Sequence, residues 1–149
     1  MKIVIQRVKE ASVTVGGELV SSIGPGMMVL VGVDVDDTDD DCRYLVAKTC
    51  ALRIFDDENG VMNRSIADVG GQILAVSQFT LMASTRKGNR PSYIRAARHE
   101  LATRLYDMYA DETARTLGWP TLKGIFGADM KVALVNDGPV TIIIDSKDR

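Results

Sequence analysis

The sequence predicts an α/β fold in which a β-rich layer carries two helices on one face. Three observations point there. Short apolar runs with strand character outnumber helical patterns, only two stretches carry clear helical periodicity, and the two kinds of element are mixed in order along the chain. At 149 residues and 46% hydrophobic content, residues 1–149 fit one domain with a substantial core.

Taken in order, Ile3, Ile5, Val13, Val15, Leu19 and Ile23 mark alternating β-runs, with turns at Gly16-Gly17 and Gly24-Pro25-Gly26. Met27–Val33 is continuously apolar and reads as a strand covered on both faces. Asp39 or Asp40 can then cap a helix bearing Cys42, Leu45, Val46 and Thr49 on one side and ending near Arg53. Asp56–Gly60 and Val69-Gly-Gly71 are turns by composition, the second just ahead of a strand over Gln72–Phe79. Glu100–Leu117 places Leu101, Leu105 and Met108 on one helical face and is followed by Gly118 in the C′ position. Val135-Asn-Asp-Gly-Pro-Val-Thr-Ile-Ile-Ile-Asp145 reads as two β-runs, Met130–Val135 and Val140–Ile144, broken by a turn.

Composition removes several function classes. No apolar run approaches the roughly 20 residues needed to span a bilayer, and the N-terminus MKIVIQRVKE alternates where an export signal would be uninterrupted; a soluble cytoplasmic protein is expected. Cys42 and Cys50 sit about 12 Å apart on a helix rising about 1.5 Å per residue, too far for a disulfide, so buried thiols are expected. His99 is the only histidine, which leaves no zinc cluster, and Asp36–Asp41 lacks EF-hand spacing and reads as an exposed turn and acidic helix start. No metal or cofactor is called for. The net charge of −2 argues against wrapping a long nucleic acid, while leaving room for a small contact at one end of an RNA.

Chemistry concentrates in few places. Ile73–Thr80 begins apolar and ends in Ser77-Gln78-Phe79-Thr80, where hydroxyls, an amide and free N–H groups can stabilise an oxyanion; satisfied backbone at a strand end is the plainer reading. A nucleophilic Ser77 or Thr80 needs a base, and His99, among charged residues at a helix start, reads as an exposed surface residue. No G-x-S-x-G elbow is present. Arg86, Lys87 and Arg90 put three positive charges in a turn-rich loop suited to phosphate contact, although it is not a P-loop. Tyr93, Trp119 and Phe126 can stack on a base or fill a core. Gly138-Pro139 is compatible with an ordinary trans turn or with a cis bond.

Ser77-Gln-Phe-Thr-Leu81 together with Asn136-Asp-Gly-Pro-Val-Thr141 resembles the paired motifs of the D-aminoacyl-tRNA deacylases, the chiral proofreading enzymes of translation. The resemblance runs through Ile5–Val8, Ala11–Val15, Arg53–Phe55, Met62-Asn63, Lys87–Pro91 and Phe126–Met130 in the same order. It implies barrel-like layers of mixed sheet with two main helices on one face. It also implies a homodimer whose sites combine the Ser77–Thr80 segment of one subunit with a cis Gly138-Pro139 of the other. In that arrangement the aminoacylated 3′ end of tRNA is the substrate and Gly138-Pro139, with Asn136 nearby and Arg7 holding it, excludes L side chains. Ser77, where related animal enzymes carry proline, places the chain with the D-specific group.

Two rivals stand beside this reading. A non-catalytic nucleic-acid-binding module would use Arg86, Lys87 and Arg90 without turnover, and a general esterase would use Thr80 on simple esters. Neither explains why the two motifs occur together.

Overall fold

The computed structural model describes residues 1–149, and its spine is β1 (Lys2–Val15). Along one edge β1 pairs antiparallel with β2 (Glu18–Ile23) and β3 (Gly26–Gly32). The two registers run on from Ala11 opposite Ile23 to Val8 opposite Gly26, so β2 and β3 act as one partner. They are interrupted at Gly24-Pro25, where proline has no N–H to give. β3 pairs in parallel with β6 (Gln72–Ser77), and β6 in parallel with β7 (Leu122–Lys123). Ser21 donates to the Lys123 carbonyl and the Gly24 amide to Gln72 Oε1 at 2.9 Å, drawing the ends of the sheet together. The result is a mixed sheet nearly closed into a barrel.

Along the other edge of β1 runs β8 (Lys131–Asp145), one long antiparallel strand where the sequence suggests two. The expected turn is a bulge. Gln6 faces Thr141 and Val8 faces Asn136, so Asp137–Val140 lie opposite Arg7 alone. A continuous partner on β1 holds both halves in line, and the extra residues are pushed out of the ladder.

Apolar alternation on the inner strands feeds two cores. Met27, Val29 and Val31 of β3 and Ile73 and Ala75 of β6 face the helices, while Met28, Leu74 and Val76 face the barrel interior with Ala11 and Val13. β3 is thus covered on both faces, as its unbroken apolar run requires. Between β3 and β6 the chain forms α1 (Asp39–Ala51), the hairpin β4 (Phe55–Asp56) and β5 (Met62–Arg64), and the one-turn α2 (Ile66–Val69). Neither the hairpin nor α2 carries enough periodicity to be seen in the sequence. α3 (His99–Leu117) packs against α1, where the Tyr109 hydroxyl meets Thr49 Oγ1 at 2.8 Å, and reaches the sheet through Tyr106, whose hydroxyl donates to the Ala75 carbonyl at 2.8 Å. Gly118 closes α3 in the left-handed region, as its position predicts.

The acidic stretch Asp36–Asp41 differs from its sequence expectation in two respects. The cap of α1 is Thr38, not Asp39 or Asp40; its amide donates to Asp41 Oδ2 at 2.8 Å. Asp37 and Asp41 are buried, not exposed, because each meets cations from the chain ends: Asp37 pairs with the Met1 ammonium, and Asp41 with Lys147 at 3.0 Å. Cys42 and Cys50 are free and buried, as expected. No helix is long and apolar enough to cross a membrane.

Candidate active site

The strand expected to reach Phe79 ends at Ser77. The last ladder bond runs from the Gln78 amide to the Val31 carbonyl at 2.8 Å, and Phe79–Met82 then form a 3-10 turn. This turn lies directly on β3 because residue 32 is glycine: a Cβ there would stand 2.9 Å from Leu81 Cβ and 3.0 Å from the Gln78 carbonyl oxygen. Within the turn Leu81 donates to Gln78 and Ala83 to Thr80, so the amides of Phe79 and Thr80 come before the bonded pattern and have no acceptor inside it.

Ser77, Gln78 and Phe79 line a cavity of about 300 Å³, mostly apolar, whose other walls include Val31, Tyr106, Phe126 and Met130. Thr80 stands beside it, its Oγ1 accepting from the Gln78 side-chain amide. Neither Ser77 nor Thr80 is hydrogen-bonded to an imidazole or carboxylate. His99 is exposed and meets the Phe126 ring edge-on, with centroids 5.2 Å apart. No three His, Cys, Asp or Glu side chains come together to hold a metal. The arrangement offers main-chain donors and an apolar slot, and no triad.

The second motif lies elsewhere on the chain. Gly138 and Pro139 are exposed, joined by a cis peptide bond, and do not line the cavity of their own chain. Gly138 has φ +126°, which disfavours any side chain, and a Cβ there would meet Arg7 Nη2 at 3.0 Å. Arg7 is buried, with 7% of its surface exposed, and donates from Nε to the Asp137 carbonyl at 2.9 Å and from Nη1 to the Ile54 carbonyl at 2.7 Å. Asn136 is exposed and pairs with Val8. The structure therefore gathers the predicted residues into two groups, Ser77–Thr80 and Arg7 with Asn136–Pro139, and keeps them apart within one chain.

Arg86, Lys87 and Arg90 form a third group. They occupy an exposed loop whose neck is closed by reciprocal main-chain bonds between Ser84 and Ser92 of 2.8 and 2.9 Å, and none of the three makes an ion pair. Of the aromatic candidates, Phe126 lines the cavity, Tyr93 packs edge-on against Phe79 with centroids 5.1 Å apart, and Trp119 is structural, donating to the Gly71 carbonyl at 3.0 Å. Tyr106 and Met130 escaped the sequence reading because each fits an amphipathic element equally well. Asp56, which holds Arg7 together with the Ile54 carbonyl, lies in a hairpin too short to predict, and Ile54 immediately precedes it.

The sequence profile of the family described as D-Tyr-tRNA(Tyr) deacylase matches residues 4–145. The D-aminoacyl-tRNA deacylase of Parabacteroides distasonis is 56% identical over 149 residues, covering 100% of this chain and 99% of that protein. That of Chromobacterium violaceum is 55% identical over 148 residues, covering 99% of each. Among solved structures, a c-Myc DNA unwinding element binding protein superposes with a TM-score of 0.91 at 42% identity, over 97% of this chain and 98% of that one. A probable eukaryotic D-amino acid tRNA deacylase gives 0.81 at 20% identity over 97% and 98%, a likeness of fold.

Proposed function

The chain belongs to the D-Tyr-tRNA(Tyr) deacylase family, and from that premise we propose how its residues divide the work. It is a tRNA-binding hydrolase of translation quality control, which releases D-amino acids from D-aminoacyl-tRNA. The observation that carries the mechanism is the Ser77–Thr80 segment, which presents two main-chain amides free of acceptors within their turn beside an apolar cavity.

An aminoacyl ester is already activated, so positioning and charge stabilisation can supply much of the acceleration. Water adds to the ester carbonyl, the Phe79 amide stabilises the oxyanion, and the bond to the ribose oxygen breaks as that oxygen takes up a proton. The neighbouring 2′-hydroxyl of the terminal ribose assists this transfer. Gln78 and Thr80 organise the pocket, an assignment supported by their mutual hydrogen bond. Arg86, Lys87 and Arg90 approach RNA phosphates, which their exposure and lack of ion-pair partners favour.

Gly138-Pro139 is the gate, and it serves the cavity of a second copy. Its exposure, and its absence from the lining of the cavity of its own chain, suit a homodimer in which each site is completed by the other subunit. The gate excludes L side chains by occupying their place. Glycine has no side chain to exclude, so glycyl-tRNA is also hydrolysed.

Matched D- and L-tyrosyl-tRNA, incubated with the protein and a Pro139→Ala variant, test this reading. Loss of the D-ester alone, with discrimination weakened in the variant, is expected. Equal cleavage of both esters by the unaltered protein removes the gate, and a fully active monomer in sedimentation removes the shared site. A nucleic-acid-binding role without turnover, towards which the DNA-binding relative's name points, would leave both esters intact while RNA binding persists.

A further inference from the structure

Arg7 connects the Asp137-Gly138 bulge to an element far from it in sequence. Besides its bond to the Asp137 carbonyl, it donates to the Ile54 carbonyl at 2.7 Å and to Asp56 Oδ1 at 3.3 Å. A buried guanidinium needs a carboxylate nearby, and two are in reach: Asp56, and Asp137 with Oδ2 at 3.7 Å from Nε. The Asp137 carboxylate is also 3.8 Å from Lys9 and rides on the bulge itself, so it cannot fix the bulge against the body of the protein.

Asp56 can. It follows Ile54 and Phe55, both buried in the helix-side core, and the hairpin beyond it is tightly laced. Asp57 Oδ1 accepts from the Asn59 and Val61 amides at 2.9 and 3.0 Å, and Arg53 donates to the Asn63 carbonyl at 2.8 Å. The segment from Ile54 through the hairpin is therefore a fixed reference, and its two acceptors, the Ile54 carbonyl and Asp56, aim Arg7 at the bulge.

We propose that Asp56 is a positioning residue that sets enantiomer discrimination: by orienting Arg7 it fixes where Gly138-Pro139 stands, without touching substrate. This rests on the gate reading of the preceding section.

The test is the ratio of kcat/KM for D- over L-tyrosyl-tRNA in Asp56→Asn, Asp56→Lys and Asp56→Glu, with Arg7→Lys and Pro139→Ala alongside. The Asp56 carboxylate is half exposed, so neutralising it lowers the ratio only about two- to fivefold. A lysine facing Arg7 lowers it about tenfold or more, and glutamate restores it. The change comes from faster L-ester cleavage, with D-ester cleavage held within about twofold; a general loss of stability would lower both rates together and leave the ratio unmoved. In the Arg7→Lys background, Asp56→Lys adds little. An unchanged ratio in the Asp56 variants beside a lowered one in Pro139→Ala overturns the role of Asp56 and leaves the gate standing. A ratio unchanged in Pro139→Ala as well overturns the gate. Full additivity of the Asp56 and Arg7 changes overturns the route through Arg7.

Discussion

Arg7 Nε donates to the Asp137 main-chain carbonyl across 2.9 Å, so a buried side chain of β1 is bonded to the residue just before Gly138. Lysine cannot reproduce the fork that also reaches the Ile54 carbonyl. Each lost charge-assisted bond is worth about 1.5–3 kcal/mol. Arg7→Lys is therefore expected to lower discrimination between D- and L-esters about tenfold or more, measured by parallel deacylation of the two.

Thr80→Ala removes the acceptor of the Gln78 side-chain amide and loosens the pocket. If Thr80 only organises the site, kcat falls by about tenfold in the variant, and no acyl-enzyme accumulates in a rapid quench of the unaltered protein. A fall to the spontaneous rate of ester hydrolysis would instead make Thr80 the nucleophile.

The cations of the 84–92 loop are unpaired, so the charge they carry is available to an RNA backbone. Replacing Arg86, Lys87 and Arg90 together by alanine is expected to flatten the dependence of log Kd on log salt by about 2–3. The measurement is titration of deacylated tRNA at several salt concentrations. An unchanged slope places the phosphates elsewhere.

Burial pushes the Cys42 thiol up to about 12 and the Cys50 thiol up to about 11. Since the thiolate is the reactive form, neither is expected to react with a disulfide reagent at pH 8 until the protein unfolds. Labelling of the native protein within minutes would show that the α1 face opens.

Burial alone would raise the Asp41 carboxyl, but bonds from the Thr38 amide and Lys147 outweigh it and hold the group well below the ordinary carboxylate range. A carboxyl depressed on folding stabilises the protein above its unfolded value, about 3.9, and that contribution is lost as pH falls through the folded value. Asp41→Asn is expected to lower Tm by roughly 3–12 °C at pH 7. The gap from the unaltered protein narrows below about pH 4, and a gap that stayed constant would assign the effect to packing.

Most elements were legible because their pattern is imposed by burial. β3 reads as continuous apolar sequence since both cores use it, and α3 announces itself through Leu105 and Gly118. The hairpin of β4 and β5 was missed because two- and three-residue strands leave no periodicity, although Phe55 is a core residue. The division of β8 at Gly138-Pro139 failed for a different reason: composition signals a turn there, and pairing with β1 on both sides overrides it. In the site, Ser77–Thr80 stood out as polar residues ending an apolar run. Asp56 did not, because an aspartate among other acidic turn residues becomes informative only when Arg7 arrives from 49 positions away.

The loop from Thr85 to Pro91 leaves and rejoins the barrel at a single point, since Ser84 and Ser92 exchange both main-chain bonds. It is in that sense a cassette. Its length and content can therefore be altered without rerouting any strand, and its three cations can be removed or moved while the walls of the cavity, to which it contributes no residue, stay as they are.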